Sequence, residues 1–487
     1  MNLSELLKPW LKQIDTAIEI TGLEADSRKI KPGFCFMAVH GAFEHGQKYI
    51  DDAIQNGAVA IIYDTEKTIQ VDIPAYQFKA LRLHLGEIAS RFYQYPSKDL
   101  NTIGITGTNG KTTIAYLLTQ AHAYLGIKTF YIGTLGVGPI GTIQETGMTT
   151  PDAIDLQKMC HDFKIQAYQQ LVMEVSSHAL DQYRIEGIPF KQAIFTNLTH
   201  DHLDYHGSIE EYAKAKSRLF TLPELETIIV NTDDPWHAFM LNHANPQAKI
   251  YRTGIHHFAD IQVLEQNWSL NGMHLKLKTP WGEVFLHSHL LGEFNVHNIL
   301  AVFTSLMAKG FALDDVVEVI AKLKAPPGRM EVVTNKPLVV VDYAHTPDAL
   351  EKALVTLQEF QKKTQAGALW VVFGCGGDRD PYKRPEMGKI AANLADYVVV
   401  TSDNPRTEEP LSIIKQVVKG MTRKNKLMQI EDRKLAILSS LEEAKPQDII
   451  LIAGKGHEDY QIIGQEKFHF SDQEIVRNYI SMIKKES

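Results

Sequence analysis

One run constrains this chain more than any other: Asn-Thr-Ile-Gly-Ile-Thr-Gly-Thr-Asn-Gly-Lys-Thr-Thr, from Asn101 to Thr113. Asn101–Thr106 reads as a buried strand, Gly107–Gly110 as a tight loop, and Thr112–Leu125 as a helix stopped by Gly126. A strand feeding a helix through a glycine turn commits its surroundings to a parallel α/β architecture. Backbone N–H groups of such a turn, with the helix N-terminus, can cradle polyphosphate, and Lys111 can neutralise its charge. Thr112 then stands where Mg²⁺ takes a hydroxyl ligand. The strict phosphate-loop pattern wants Gly six positions before the lysine, where this chain has Ile105, so the spacing is G-x-x-G-x-x-G-K-T-T. A plain structural turn explains the glycines but not the Lys-Thr-Thr. Nucleotide binding follows from these residues; the reaction does not.

Strand and helix signals alternate through the rest of the chain. Phe34–Val39 and Val59–Tyr63 read as strands and Leu81–Tyr93 as a helix. Leu171–Val175, Ala193–Asn197 and Thr227–Asn231 read as further buried strands. Polar breaks at Pro96–Asp99 and at Ala325-Pro-Pro-Gly328 divide the chain. Beyond the second break, Leu338–Asp342, Leu369–Phe373, Tyr397–Thr401 and Ile449–Ala453 read as strands and Pro385–Ala395 as a helix. The expectation is an α/β protein of three domains, in keeping with 487 residues at roughly 150 per domain. These are a small N-terminal α/β domain (1–98), a central parallel-sheet phosphate-loop domain (99–327) and a Rossmann-like, doubly wound C-terminal domain (328–487). In such sheets ligands bind at the carboxyl ends of the strands.

Composition removes several classes. A net charge of −8 gives no basic footprint for nucleic acid. Three cysteines without C-x-x-C spacing suit reduced thiols. Glu5 and Lys8 interrupt the apolar start, which argues against a signal peptide, and no apolar stretch is long enough to span a membrane. The expectation is a soluble, cytoplasmic, monomeric enzyme or NTPase that works on small molecules.

Two later segments offer metal donors. Glu174 ends a strand in Met-Glu-Val-Ser-Ser-His, where a carboxylate suits Mg²⁺ and a surface or capping role is the alternative. Thr199–His206 reads Thr-His-Asp-His-Leu-Asp-Tyr-His and could be mistaken for a zinc site, but lacks both H-E-x-x-H and cysteines. Ser208-Ile-Glu-Glu211 marks a helix start by its capping-box pattern. Ile209, Tyr212, Ala213, Lys216, Leu219 and Phe220 then share one face at helical spacing, unlike Lys214. Spacing alone favours a Lys216 stem lying on apolar surface with its ammonium in water.

The loop Gly107–Thr113 resembles that of the Mur ligase superfamily, which includes folylpolyglutamate synthetases. Agreement extends over nearly the whole chain through about eight ordered motifs. The resemblance implies ATP-dependent amide synthesis, in which a carboxylate is phosphorylated and an amine displaces the phosphate. It implies ATP contacts from Gly107, Thr108, Asn109, Gly110, Lys111, Thr112 and Thr113. It adds Asn298 on adenine, Arg329 on the γ-phosphate and Asp342 on the ribose, with Tyr343 and His345 lining the same cleft. Thr112 and Glu174 would hold one Mg²⁺; His202 and Lys216, carbamylated in the family, would hold a second. Lys111, Lys216, His202 and Arg329 would be the catalytic residues. Asn298 falls in Gly292-Glu-Phe-Asn-Val-His-Asn298, read as the entry to a helical run over Ile299–Leu306.

Asp26-Ser27-Arg28 with Pro32-Gly33 resembles the family's uridine-binding element, although Glu44-His45-Gly46 stands where relatives commonly have Asp-Gly. Ser27, Thr149, Thr150, Ser176, Gln182 and Arg184 are the implied contacts to a UDP-muramoyl-dipeptide. Phe373–Pro385 is glycine-rich after a strand, but Arg379 occupies the place of the third Rossmann glycine, which argues against a dinucleotide site. Asp403-Asn-Pro-Arg406 and Gly454-Lys-Gly-His-Glu458 follow apolar strands and supply a guanidinium for a carboxylate and a carboxylate for an ammonium. Asp-Asn-Pro-Arg resembles the meso-diaminopimelate-adding branch of the family. That implies an amino-acid pocket of Arg379, Asn404, Arg406, Gly454 and Glu458. The implied reaction joins meso-diaminopimelate to UDP-N-acetylmuramoyl-L-alanyl-D-glutamate through an acyl phosphate. Rival readings are a different ligase of the family, against which Asp403–Arg406 and Asp26–Arg28 argue, and a regulatory NTPase, which would need no amino-acid pocket.

Overall fold

The computed structural model of the chain describes all residues except 13, 15, 16, 40–44, 66, 270, 423–425 and 487, with 484–486 described as backbone only. Glu44 therefore lies outside the described residues. The chain forms two compact units, Met1–Thr253 and Gly254–Ser487.

The first unit holds two sheets. Four parallel strands, Gly22–Glu24, Phe34–Ala38, Ala60–Tyr63 and Ala75–Gln77, lie side by side in chain order. The larger sheet runs Gly136–Gly138, Thr129–Gly133, Gln170–Glu174, Asn101–Thr106, Gln192–Phe195, Thr227–Asn231, Lys249–Gly254. Only its Gly136–Gly138 edge is antiparallel. Strands such as Gln-Leu-Val-Met-Glu are buried at every position because helices cover both faces of a parallel sheet. Ala153 and Ile154, at the start of the helix Ala153–Ile165, pack into the core beneath the four-stranded sheet. Lys29 reaches Asp155 on that helix at 2.7 Å.

In the second unit, Ile261–Ser269, Gly272–Thr279 and Gly282–Ser288 form an antiparallel meander, followed by the helices Glu293–Ala308 and Leu313–Lys322. Its six-stranded sheet runs Glu331–Asn335, Leu338–Asp342, Ile449–Ala453, Leu369–Phe373, Tyr397–Val400, Leu427–Gln429. All pairs but the first are parallel. Val340 and Leu451 point into one apolar cluster, Val339 and Ile450 into the other, as the two-residue period of a strand requires. Four loops that follow parallel strands (343–346, 374–382, 401–409 and 454–459) thus emerge at one end of the sheet.

The expected strands and helices are present within about two residues, but two readings need correction. The helix at Gly292 begins at Glu293, so Asn298 lies in its second turn rather than at its entry. The meander of 261–288 has no counterpart in the expected elements. The three cysteines are free and buried, and burial pushes each thiol up to about 12. Among the described residues no helix is long and apolar enough to cross a membrane.

Arg433 and Asp472 form a fully buried bidentate pair at 2.8 and 2.7 Å, and the same guanidinium donates to the Ala453 carbonyl. Removing one partner strands the other charge in the core, at a cost of about 3–5 kcal/mol. Asp472→Ala should therefore lower unfolding free energy by that amount in urea titration, with an unchanged m value.

Candidate active site

Three neighbouring strands of the first unit end together: Asn101–Thr106, Gln170–Glu174 and Gln192–Phe195. The first continues into the phosphate loop, where Gly107 has φ +143°. A Cβ there would lie 1.9 Å from the Thr196 hydroxyl, so only glycine lets the loop approach this closely. Thr196 donates to the Asn109 carbonyl (2.6 Å), while the Asn197 side chain accepts from Asn109 N and donates to Asn109 O. Asn197 O accepts from Thr108 N, and Thr108 Oγ1 from Thr199 N. Thr196 and Asn197 thus brace the loop, a role sequence reading missed. The available signal was a Thr-Asn pair at the end of an apolar strand. Thr112 and Thr113 lie in the first turn of Lys111–Tyr124.

Glu174 is fully buried. Its carboxylate accepts from Thr112 Oγ1 (2.9 Å), Thr134 N (2.9 Å), Thr134 Oγ1 (3.2 Å) and the Tyr131 hydroxyl. This is neither a surface nor a capping carboxylate. It sits at the first turn of the phosphate-loop helix with a threonine oxygen beside it, a hard-oxygen pair that suits Mg²⁺. The backbone carbonyl of Glu174 accepts from Thr150 Oγ1 (2.9 Å), which itself accepts from Ser176 N (3.1 Å). Arg184 donates to Thr150 O (3.0 Å) and, through Nε and Nη2, to Gln182 Oε1 (3.1 and 2.6 Å). The Gln182 amide then donates to Tyr205, whose hydroxyl donates to Asp181 (2.7 Å). Thr149 meets Thr134 at 3.2 Å. The structure thus gathers Thr149, Thr150, Ser176, Gln182 and Arg184 around the far side of Glu174.

Ser27 lies in the short helical turn Ser27–Lys29, capped by Asp26, which also holds Arg28. The Lys29–Asp155 bridge ties this turn to the helix that follows Thr149-Thr150. His45 caps the next turn and approaches the Asp64 carbonyl at 3.0 Å.

Lys216 departs from the expectation of spacing. The helix Ile209–Ser217 does turn Tyr212, Ala213 and Lys216 inward, but the lysine is 1% exposed and its amine does not reach water. Nζ donates instead to Gly107 O at 2.9 Å and lies 4.5 Å from the Tyr212 ring centre. Lys111 Nζ donates to the same carbonyl (2.8 Å) and to Thr108 O (2.7 Å). Burial, then the charge of Lys111, push the Lys216 amine well below the ordinary lysine value, with Asp201 opposing weakly. His202 is half-exposed at a left-handed φ of 52°, close to Asp201 and packed edge-on to His178. Burial and the neighbouring imidazoles hold His178 below the usual histidine range, and burial, with Lys216 and His202 against Asp181, does the same for His206.

In the second unit, Asn404 is 5% exposed and oriented without ambiguity. Its Nδ2 donates to Glu458 (3.0 Å), while Oδ1 accepts from Lys455 Nζ (3.0 Å) and Ile462 N (3.0 Å). Its backbone carbonyl accepts from Gly377 N, and Gly377 O accepts from Arg406 Nη1 (2.8 Å). Burial raises the Glu458 carboxyl, partly offset by Asn404. Gly454 follows the strand Ile449–Ala453 and donates to Asp342 O. Arg379 is exposed on the loop that carries Gly377.

Comparison with known proteins places these features in a common frame. Residues 19–93 match the Mur ligase family catalytic domain, 105–306 the Mur ligase middle domain, and 328–456 the Mur ligase glutamate ligase domain. The chain belongs to the Mur ligase family. It is 45% identical over 463 residues, 93% of each chain, to UDP-N-acetylmuramoyl-L-alanyl-D-glutamate--2,6-diaminopimelate ligase of Neisseria meningitidis serogroup A. It is 42% identical over 484 residues to the Haemophilus influenzae (strain PittEE) protein of the same name, covering 96% of this chain and 98% of that one. A solved structure of a ligase with that name superposes with a TM-score of 0.79 at 37% identity and covers 99% of both chains.

Three further residues that family resemblance singles out also belong to the second unit. Asn298 is buried in its helix, donating to Asn295 (2.7 Å). Asp342 accepts from Met330 N and Ala344 N, and burial raises its carboxyl. Arg329 lies over the Tyr343 ring at 5.2 Å, and its buried Nε has no hydrogen-bond partner among the described residues. Tyr343 packs in turn on His345 and His457.

Because Lys216 has a folded value below its unfolded one, the unfolded chain binds the extra proton. The associated stability is missing at neutral pH and recovered as pH rises to the unfolded lysine value. In CO₂-free buffer Lys216→Met should therefore melt above the wild type at pH 7, with the gap narrowing by pH 10.

Proposed function

We propose that this chain is an ATP-dependent ligase joining meso-diaminopimelate to UDP-N-acetylmuramoyl-L-alanyl-D-glutamate in peptidoglycan precursor synthesis. Residues 1–98 serve the uridine, 99–327 the ATP and 328–487 the amino acid. The observation that carries the reading is the Asn404 network. One asparagine orients the Glu458 carboxylate through its side chain and the Arg406 guanidinium through Gly377, two groups suited to the ammonium and carboxylate at the far end of diaminopimelate. Arg379 and Gly454 complete this pocket. The relatives named above support the reaction, since each carries the name of a 2,6-diaminopimelate ligase.

Lys111 leaves its two loop carbonyls to neutralise the polyphosphate, while the amides of Gly107–Thr113 enclose it. Family resemblance assigns Arg329, whose Nε has no hydrogen-bond partner among the described residues, to the γ-phosphate, and Asn298 and Asp342 to adenine and ribose. Thr112 and Glu174 would hold one Mg²⁺, and His202 with a carbamylated Lys216 a second; metal bound there spreads the charge of phosphoryl transfer. Lys216 is suited to carbamylation because burial favours its neutral amine, which adds to CO₂ with loss of a proton. Ser27 takes the uridine end. Thr149, Thr150, Ser176, Gln182 and Arg184 position the terminal D-glutamyl carboxylate for attack on the γ-phosphate. The diaminopimelate amine then displaces phosphate from the acyl phosphate.

The test is phosphate release with UDP-muramoyl-L-Ala-D-Glu, comparing meso-diaminopimelate with L-lysine and confirming product mass. The expected result is release coupled to a diaminopimelate-bearing tripeptide. Lysine preference would overturn the role of Arg406, and phosphate release without any amide would overturn the ligase reading. Arg406→Ala removes charge-assisted bonds of about 1.5–3 kcal/mol. It should lower kcat/KM for diaminopimelate by roughly 10- to 150-fold and abolish the preference over lysine.

A further inference from the structure

We infer that Lys455 is a positioning residue for amino-acid selection, its buried ammonium fixing the directions in which Asn404 and Glu458 face an incoming ammonium group. The inference rests on the pocket proposed above and assigns within it a residue that the pocket itself does not include. Lys455 sits between two left-handed glycines, Gly454 (φ 119°) and Gly456 (φ 57°), and its side chain is wholly buried. Buried lysine is uncommon unless paired, and this one is paired on every side. Nζ donates to Asn404 Oδ1 (3.0 Å) and Tyr460 O (2.7 Å), and lies 3.3 Å from Asp403 and 3.8 Å from Glu458.

These contacts decide the orientation of an amide. An ammonium has only donors, so the Asn404 oxygen must face it, and Ile462 N reinforces the choice. The amide nitrogen is then turned to Glu458 Oε2, which it meets at 3.0 Å. A neutral residue at position 455 would leave Ile462 N as the one remaining donor holding the Asn404 oxygen in place, and a flipped amide would set that oxygen against the Glu458 carboxylate. Burial raises the Glu458 carboxyl, and the Lys455 cation beside it works in the opposite direction. The other charged or titratable groups facing these residues are Asp403, Arg433, Asp472, His345 and Tyr343. Of these, Asp403 opposes ionisation of Glu458 and His345 favours it.

The experiment uses the full chain with Lys455→Met, which removes charge and donors, and Lys455→Gln, which keeps a donor and removes only charge. KM for meso-diaminopimelate should rise about tenfold or more, with kcat and the KM values for ATP and UDP-muramoyl-dipeptide within about twofold. The methionine variant should be the worse of the two. Without the cation, Glu458 takes up its proton at higher pH, so the acid limb of kcat/KM for diaminopimelate should move upward in both variants. Unchanged KM and pH limb would overturn the inference. So would a uniform loss across all substrates, or failure of both variants to fold, since either makes Lys455 a purely structural cation. Wild-type protein that forms no diaminopimelate amide would instead count against the pocket assignment itself.

Discussion

Two lysine amines on one backbone carbonyl organise the first unit. Gly107 O accepts from Lys111 and Lys216 at 2.8 and 2.9 Å. A carbonyl has lone pairs for both, but two ammonium ions so close repel each other in a site with little water. The conflict is settled by burial: Lys111 keeps partial access to solvent and Lys216 has none. The charged form of the less solvated amine is the one that burial disfavours, so Lys216 is held well below the ordinary lysine value. The geometry rests on Gly107, whose missing Cβ admits Thr196, and on Tyr212, which packs under Lys216 and meets Thr108 at 3.3 Å.

Glu174 couples this loop to the neighbouring polar surface. Its carboxylate engages Thr112 and Thr134, while its main-chain carbonyl engages Thr150, which holds Ser176 and Arg184. A shift of the strand end by a fraction of an ångström would move both groups of contacts together. That suits a reaction in which a phosphoryl donor and a carboxylate must meet in line, because small misplacements carry large rate penalties.

The parts of the fold legible in the sequence are those where local pattern and tertiary burial agree. Leu-Val-Val-Val-Asp and Ile-Ile-Leu-Ile-Ala are apolar throughout because both faces of their sheet are covered, and their bounds were readable to the residue. The Met-His-Leu-Lys-Leu-Lys alternation of 273–278 is a half-buried strand signal of a different kind, since one face of the meander is polar and the run lacks the continuous apolar character of a parallel-sheet strand. Spacing placed Lys216 on the correct face of its helix but could not show that helix, loop and Tyr212 close over the amine. Lys455 was less legible still. Its partners Asp403 and Asn404 are separated from it by about fifty residues, and Gly-Lys-Gly reads locally as an exposed turn.

The second unit repeats one device beneath its loops. Arg433 pairs with Asp472 and donates to Ala453 O; Arg384 pairs with Glu408 and donates to Gly376 O; Lys455 pairs with Asp403 and donates to Tyr460 O. Each buried cation thus joins a carboxylate to a main-chain carbonyl at a strand end or in a loop. Such pairs add little net stability, because desolvation offsets much of the attraction, and apolar side chains of similar volume would fill the space as well. They differ from apolar packing in direction: a guanidinium or ammonium fixes where a carbonyl and a carboxylate point. Loops that follow parallel strands are otherwise free to vary, and these three border the Asn404 network. The charges beneath the loops therefore fix direction more than they add net stability.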